Sequence, residues 1–99
     1  MLKGQGERVQ ITIVGLGFIG GSIGLALRES GEELRVVGHD REPSRARQAR
    51  GLGAIDRAEW NLIRACEEAD VVVLALSPEG LRDTLESIAT ELKLSLIHI

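Results

Sequence analysis

The chain has 99 residues, of which 43% are hydrophobic and 27% charged, proportions typical of one small globular domain. Its 12 basic and 15 acidic residues give a formal net charge of −3, which excludes a general electrostatic attraction to nucleic acid or to an anionic membrane. Aromatic residues make up 2% of the chain, too few for recognition of single-stranded nucleic acid by base stacking.

The first predicted elements are a strand and a helix joined by glycines. Residues 9–14 are rich in β-branched side chains, which predicts a nearly apolar central strand. Gly15 ends this strand, and apolar residues then recur at helical spacing as far as Glu29. Gly31 is typical of the residue that follows a helix.

Two further strand and helix pairs are predicted in the middle of the chain. Residues 34–38 predict a second strand, and Pro43 favours the first position of a second helix, which ends near residues 51–53. Residues 54–58 predict a very short strand or a turn, and residues 61–69 predict a small helix.

A buried strand and an amphipathic helix follow. Residues 71–76 are continuously apolar, as in a strand covered on both faces, and fall far short of the about 20 residues that cross a bilayer. Ser77 and Pro78 predict the start of a helix, whose apolar stripe comprises Leu81, Leu85, Ile88, Ala89 and Leu92. The alternation of strands and helices predicts an α/β fold, a doubly wound parallel sheet with helices on both faces.

The turn after the first strand carries the motif G-x-G-x-x-G at residues 15–20. In this motif Gly15 permits the tight turn, Gly17 lets a pyrophosphate approach the backbone, and Gly20 lets the helix pack close to the strand. Free amides at the helix N-terminus, helped by the helix dipole, then bind the phosphates. A second strand follows, as a Rossmann-like dinucleotide-binding unit requires.

Asp40 follows that second strand, about 20 residues after the last glycine, where a carboxylate can accept hydrogen bonds from the adenosine ribose. A second interpretation is a turn residue that caps the next helix, and both roles can coexist. A carboxylate repels a 2′-phosphate, which favours NAD over NADP. Arg41 keeps NADP open as the alternative cofactor, because a guanidinium can pair with that phosphate.

Ser77 and Ser22 each have two interpretations. Ser77 lies at the carboxyl end of the strand expected beside the first, where it can touch the nicotinamide-side ribose or phosphate or only cap the helix. Ser22 can reach the phosphates or return its hydroxyl to the helix backbone. Cys66 is the single cysteine, and His39 and His98 are isolated, so we expect no metal site, no internal disulfide and a cytoplasmic location.

Residues 15–27, with Gly-Gly-Ser at 20–22, resemble the start of prephenate and arogenate dehydrogenases. Residues 37–41, 53–56 and 69–75 match further, and the resemblance covers residues 9–93. It implies NAD(P)-dependent oxidative decarboxylation of prephenate to 4-hydroxyphenylpyruvate in tyrosine biosynthesis, in which a histidine takes the proton of the ring hydroxyl. Carried over, the cofactor contacts are Gly15, Gly17, Gly20 and Asp40, with backbone amides from Phe18 and Ile19.

The resemblance also sets what this chain is expected not to do. In the family, a serine and the catalytic histidine lie on further strands, and a helical domain supplies substrate contacts and the homodimer. We therefore assign no catalytic residue, and expect cofactor binding without catalysis. Prephenate or arogenate binding and dimerisation are expected of a full-length protein only.

Three segments are predicted: a flexible N-terminus at residues 1–8, a Rossmann domain fragment at 9–93, and a tail of doubtful origin at 94–99. The fragment comprises the adenosine half and the first strand and helix of the nicotinamide half. The tail resembles a translated library adapter, or its apolar character makes it the next strand.

Three other classes stay open. A hydroxyacid or 6-phosphogluconate-type dehydrogenase shares the fingerprint but usually lacks the Gly21–Ser22 continuation. A non-enzymatic nucleotide-sensing Rossmann module suits the short chain better and that continuation worse. A methyltransferase using S-adenosylmethionine normally lacks the third glycine at this spacing.

Overall fold

The computed structural model describes residues 8–88 and 95–98. The elements in chain order are β1 (Val9–Val14), α1 (Phe18–Glu29), β2 (Leu34–His39), α2 (Pro43–Gly51), β3 (Arg57–Ala58), α3 (Leu62–Glu67), β4 (Val71–Leu74), α4 (Pro78–Ile88) and β5 (Ser95–His98). The predicted flexible N-terminus lies, except for Arg8, outside the described residues, as do Ala89 and Leu92 of the predicted apolar stripe.

The strands of the described residues form one parallel sheet in the order β3-β2-β1-β4-β5. The predicted doubly wound α/β fold is therefore confirmed. The sheet grows from β1 through β2 to β3, and the chain then returns to place β4 on the other side of β1. This reversal of strand order leaves a crevice at the carboxyl ends of β1 and β4, which is where ligands bind in open α/β sheets.

The backbone of Ser95–His98 pairs with β4, from Val71 opposite Ser95 to Leu74 opposite His98. Of the two interpretations of residues 94–99, this pairing agrees with the one in which they form the next strand of the sheet. The described sheet therefore extends by one strand beyond β4 on that side of β1.

Helices cover both faces of the sheet because successive strand residues point to opposite sides. Ile13 faces α1 and α2 and packs in a cluster with Ala46 and Ala49. Its neighbour Val14 faces α3 and α4 and packs with Cys66 and Ile88. The two hydrophobic cores thus share the central strand, which fixes the position of the turn that follows it.

A buried polar pair ties α3 to the centre of the sheet. Thr12 is fully buried in β1, and its hydroxyl donates a hydrogen bond of 2.6 Å to the carbonyl of Ala65 in α3. The side-chain amide of Gln10 donates to the same hydroxyl at 3.3 Å. These bonds satisfy polar groups that would otherwise destabilise the core.

Strand β4 is shorter than predicted, since it ends at Leu74 and not at residue 76. The neighbouring strand β1 ends at Val14. The amide of Ala75 still donates to the carbonyl of Val14 at 2.9 Å, and the chain then leaves the sheet beside Gly15. No helix in the described part of the chain combines the length and the apolar character that spanning a membrane requires.

Candidate functional site

Gly15 forms the turn between β1 and α1, and two features of the structure require a glycine there. Its φ of +98° is a left-handed conformation that L side chains rarely adopt. A Cβ at this position would also lie 2.3 Å from the carbonyl oxygen of Ala75. The Gly15 amide donates to the carbonyl of His39 at 2.8 Å, so the turn is held against the ends of both β2 and β4.

Gly20 and Gly17 occupy opposite environments within the same motif. A Cβ on Gly20 would lie 1.8 Å from the carbonyl oxygen of Gly15, so this glycine is required for the helix to pack on the turn. A Cβ on Gly17 would meet nothing within 4 Å. Gly17 therefore presents bare backbone to open space, as an approaching phosphate needs.

The first turn of α1 supplies backbone amides at the same place. The amide of Gly21 donates to the carbonyl of Gly17 at 2.9 Å, and the amides before it, including those of Phe18 and Ile19, have no acceptor within the helix. The side chains of these two residues point outwards, with Phe18 90% and Ile19 53% exposed. The Ser22 hydroxyl donates to the carbonyl of Phe18 at 2.7 Å, which is the backbone interpretation of this serine.

Asp40 is buried at the end of β2 and connects two loops. One carboxylate oxygen accepts the amide of Leu16 at 2.8 Å, and the other accepts the amide of Glu42 at 2.8 Å. The hydrogen bond from the Glu42 amide closes a turn at Asp40, which is the role as a turn residue that the sequence suggested. The hydrogen bond from the Leu16 amide was not anticipated, because it joins residues far apart in sequence. Asp40 therefore fixes the glycine turn relative to the start of α2.

Two arginines lie beside Asp40 and differ in their partners. A guanidinium nitrogen of Arg45 lies 3.8 Å from an Asp40 oxygen, and the Arg45 side chain is 57% exposed. The Arg41 guanidinium lies 3.5 Å from the carboxylate of Asp83 on α4. Sequence reasoning named Arg41 and missed Arg45. The signal for Arg45 was its place in the first turn of a helix that begins at Pro43.

These groups surround an open cleft of about 470 Å³ at the carboxyl ends of the strands, which we call the carboxyl-end cleft. It brings together five of the predicted site residues, namely Gly15, Gly17, Asp40, Arg41 and Ser77. Phe18, Ile19 and Gly20 are not among the residues that line it. The Ser77 hydroxyl accepts the amide of Gly80 at 3.3 Å, which is the helix-capping interpretation of this serine.

The rim of the cleft includes His39, whose Nδ1 lies 2.8 Å from the carbonyl oxygen of Glu59. The Glu59 carboxylate accepts the backbone amide of Asn61 at 3.2 Å, and this hydrogen bond lowers the pKa of Glu59. Within residues 8–88 and 95–98, no group of three or more His, Cys, Asp or Glu side chains could hold a metal ion.

A glycine turn with free helix amides, a carboxylate at the end of β2 and a cleft at the point of strand reversal together define a dinucleotide-binding domain of the Rossmann class. The bare backbone at Gly17 is the space that a pyrophosphate would fill. The residues present therefore fit a dinucleotide.

Comparison with known proteins gives the family. The sequence model of a family described as "Prephenate dehydrogenase, nucleotide-binding domain" matches residues 23–99. The chain therefore belongs to this family, which confirms the resemblance seen in the sequence. This match favours the family over the hydroxyacid-type dehydrogenases and the nucleotide-sensing modules that the sequence left open.

Individual relatives and solved structures support the same family. The prephenate dehydrogenase of Lactococcus lactis subsp. cremoris is 37% identical over 82 residues, covering 82% of this chain and 22% of that protein. The structure of prephenate dehydrogenase from A. aeolicus, in complex with hydroxyphenyl propionate and NAD+, aligns with a TM-score of 0.82 and 26% identity, over 97% of this chain and 34% of that chain. Synechocystis arogenate dehydrogenase aligns with a TM-score of 0.80 and 26% identity, over 92% and 32%. The chain thus spans about a fifth of the length of the curated relatives it matches.

Proposed function

We propose that this chain binds NAD in the carboxyl-end cleft, as the nucleotide-binding part of a dehydrogenase that acts on prephenate or arogenate. The observation that carries the proposal is the open space above Gly17, beside the first amides of α1 and next to Asp40. The A. aeolicus relative, which aligns over almost the whole of this chain, was solved with NAD+.

The residues that line the cleft and the adjoining first turn of α1 each have a role in holding the dinucleotide. The amides of Phe18 and Ile19 bind the pyrophosphate, because free amides at a helix N-terminus attract anions. Asp40 accepts a ribose hydroxyl, since each carboxylate oxygen can accept a second hydrogen bond beyond the one it has in the fold. When bound, NAD supplies a hydride acceptor.

We further propose that residues 9–93 form the cofactor-binding fragment and that the chain alone does not oxidise prephenate. The chain has two histidines, His39 and His98; the His39 ring faces the carbonyl of Glu59, and His98 is the last residue of β5. Proton removal from the substrate, the homodimer and the oxidative decarboxylation itself belong to the full-length protein. A cytoplasmic location agrees with the single free cysteine, Cys66.

Titration of the 99-residue chain with NAD tests the binding proposal, with the fluorescence of the single tryptophan, Trp60, as the readout and calorimetry as confirmation. Gly17→Val should weaken NAD binding by about tenfold or more, because the new side chain fills the space of the pyrophosphate. Gly51→Val is the matched control, since a Cβ at Gly51 also meets nothing within 4 Å and Gly51 does not line the cleft.

Unchanged NAD affinity in Gly17→Val would contradict binding over the glycine turn. Incubation of the chain with NAD and prephenate should give no NADH, measured by its absorbance. NADH formation that depends on prephenate would refute the proposal that catalysis lies outside this chain.

A further inference from the structure

The loop after β2 and the helix α4 approach the carboxyl-end cleft from opposite sides of β1. Strands β2 and β4 flank β1 in the sheet, so the residues that follow β2 enter the cleft on one side and those that follow β4 enter it on the other. Arg41 lines the cleft from the first side, and Gly80 and Thr84 of α4 line it from the second. A contact between these two walls therefore crosses the cleft.

An ion pair makes such a contact. A guanidinium nitrogen of Arg41 lies 3.5 Å from a carboxylate oxygen of Asp83, the residue directly before Thr84 in α4. The side chain of Arg41 is 76% exposed and that of Asp83 is 59% exposed, whereas Val14 and Gly15, which also line the cleft, are buried. The pair, which we call the clasp, therefore lies on the solvent side of the cleft.

The clasp lies at the end of the cleft that the adenosine would occupy. Arg41 directly follows Asp40 in the sequence, and Asp40 is the proposed acceptor of a ribose hydroxyl. The cleft has a volume of about 470 Å³ with the clasp formed, which is within the range of small-molecule sites. Space for the adenosine is therefore present beneath a closed clasp.

An ion pair as exposed as the clasp is weak and opens readily. Exposed pairs have formation constants of about 1.4–5, because water and salt screen the two charges. Exposed side chains change rotamer within nanoseconds, much faster than a ligand reaches its site at ordinary concentrations. The rates of entry and release are then the intrinsic rates multiplied by the fraction of molecules in which the clasp is open.

We propose that Asp83 is a positioning residue that holds Arg41 across the adenosine end of the cleft, so that the clasp slows both the entry and the release of a dinucleotide. The proposal rests on the proposed function, because it concerns access to the same site. Asp83 is not among the residues that line the cleft, so it acts through Arg41. A clasp that closes over the empty and the occupied cleft alike changes both rates by the same factor and leaves the affinity nearly unchanged.

NMR titrations of the isotope-labelled chain with NAD test the proposal, because the line shapes give both the association and the dissociation rate constant. The amides of Gly15 and Gly17, which line the cleft, are the reporters, and the spectra also show whether each variant is folded. The variants are Asp83→Ala, Asp83→Glu and Arg41→Ala. Glu86→Ala is the matched control, since Glu86 is another exposed acid of α4 but does not line the cleft, and its removal changes the net charge equally.

Asp83→Ala should raise both rate constants of NAD by about two- to sixfold, which is the gain in the open fraction, while Kd changes by less than about twofold. Asp83→Glu should stay close to the wild type, since it keeps the carboxylate, and Arg41→Ala should raise the dissociation rate constant as Asp83→Ala does. AMP should show the same increases, because it carries the adenosine. The difference between the wild type and Asp83→Ala should shrink as the salt concentration rises, because salt screens the pair.

Three results would overturn the proposal while leaving NAD binding intact. Unchanged rate constants in Asp83→Ala would show that the clasp does not restrict access to the cleft. A change in one rate constant alone, with a matching shift in Kd, would show that Asp83 acts on the affinity. Equal effects of Asp83→Ala and Glu86→Ala would attribute the change to net charge. A wild-type chain that binds no NAD overturns the proposed function, and this inference with it.

Discussion

Replacement of Asp40 by alanine should destabilise the protein as well as weaken cofactor binding. The carboxylate accepts the amides of Leu16 and Glu42, each at 2.8 Å. A hydrogen bond to a charged group contributes about 1.5–3 kcal/mol, and a buried donor without a partner costs a similar amount. The Leu16 amide is buried, whereas the Glu42 bond is partly buried and water can replace it. We therefore expect a loss of about 3 kcal/mol, most of it from the Leu16 bond.

Urea unfolding, followed by far-ultraviolet circular dichroism and by Trp60 fluorescence, measures this loss directly. In a domain of this size it corresponds to a fall in Tm of more than about 10 °C. Asp83→Ala is the matched control, because Asp83 is 59% exposed and contacts Arg41 at the surface, where such pairs contribute about 0–1 kcal/mol. Asp40→Asn should fall between the wild type and the alanine variant, since an amide oxygen retains one of the two acceptors.

The opposite pattern would refute this reasoning. If Asp40→Ala keeps the wild-type free energy of unfolding but loses NAD affinity, the carboxylate acts on the ribose and contributes nothing to the glycine turn. If it loses stability but a folded preparation binds NAD as tightly as the wild type, Asp40 is a structural residue only.

Two further predictions concern packing and burial. Gly24→Ala should lower the free energy of unfolding in urea by about 1–3 kcal/mol, because a Cβ would lie 2.4 Å from the carbonyl oxygen of Ala54. The control is Gly21→Ala on the same helix, where a Cβ would meet nothing within 4 Å, so this change should be neutral or stabilising. Equal effects of the two substitutions would contradict the close packing of α1. Burial raises the pKa of the Cys66 thiol from 9.0 to about 11, so between these pH values the unfolded chain loses a proton that the folded chain keeps. The free energy of unfolding should therefore fall as the pH rises, by up to about 1.4 kcal/mol per pH unit. If the Cys66→Ala variant shows the same pH dependence, other groups cause it.

The sequence predicted the local elements well, because they are set by short patterns. β1 and α2 have the predicted bounds. For β1 the local signal is a largely apolar run rich in β-branched residues, and for α2 it is a proline in the first helical turn. Gly15 and Gly20 could also be assigned from the motif, because a left-handed turn and a close helix contact both exclude a side chain.

Contacts between distant residues could not be predicted from such patterns. The bond from the Leu16 amide to Asp40 depends on the pairing of β1 with β2. The contact of Gly24 with Ala54 depends on where the loop after α2 crosses α1. Arg45 reaches the cleft because α2 begins at Pro43 directly beside it. These features depend on the tertiary structure. Two of them, the Leu16–Asp40 hydrogen bond and the position of Arg45, belong to the candidate site.

The same distant contacts explain how residues 14–84 form the cleft. The Gly15 amide joins β1 to β2 through His39, and Gly15 packs directly on Ala75 after β4. Asp40 then fixes the glycine turn to the loop before α2. All residues that line the cleft fall between Val14 and Thr84, so the cleft is formed by elements from β1 to α4. If the chain binds NAD as proposed and forms no NADH with prephenate, binding of the cofactor and chemistry on the substrate are separable.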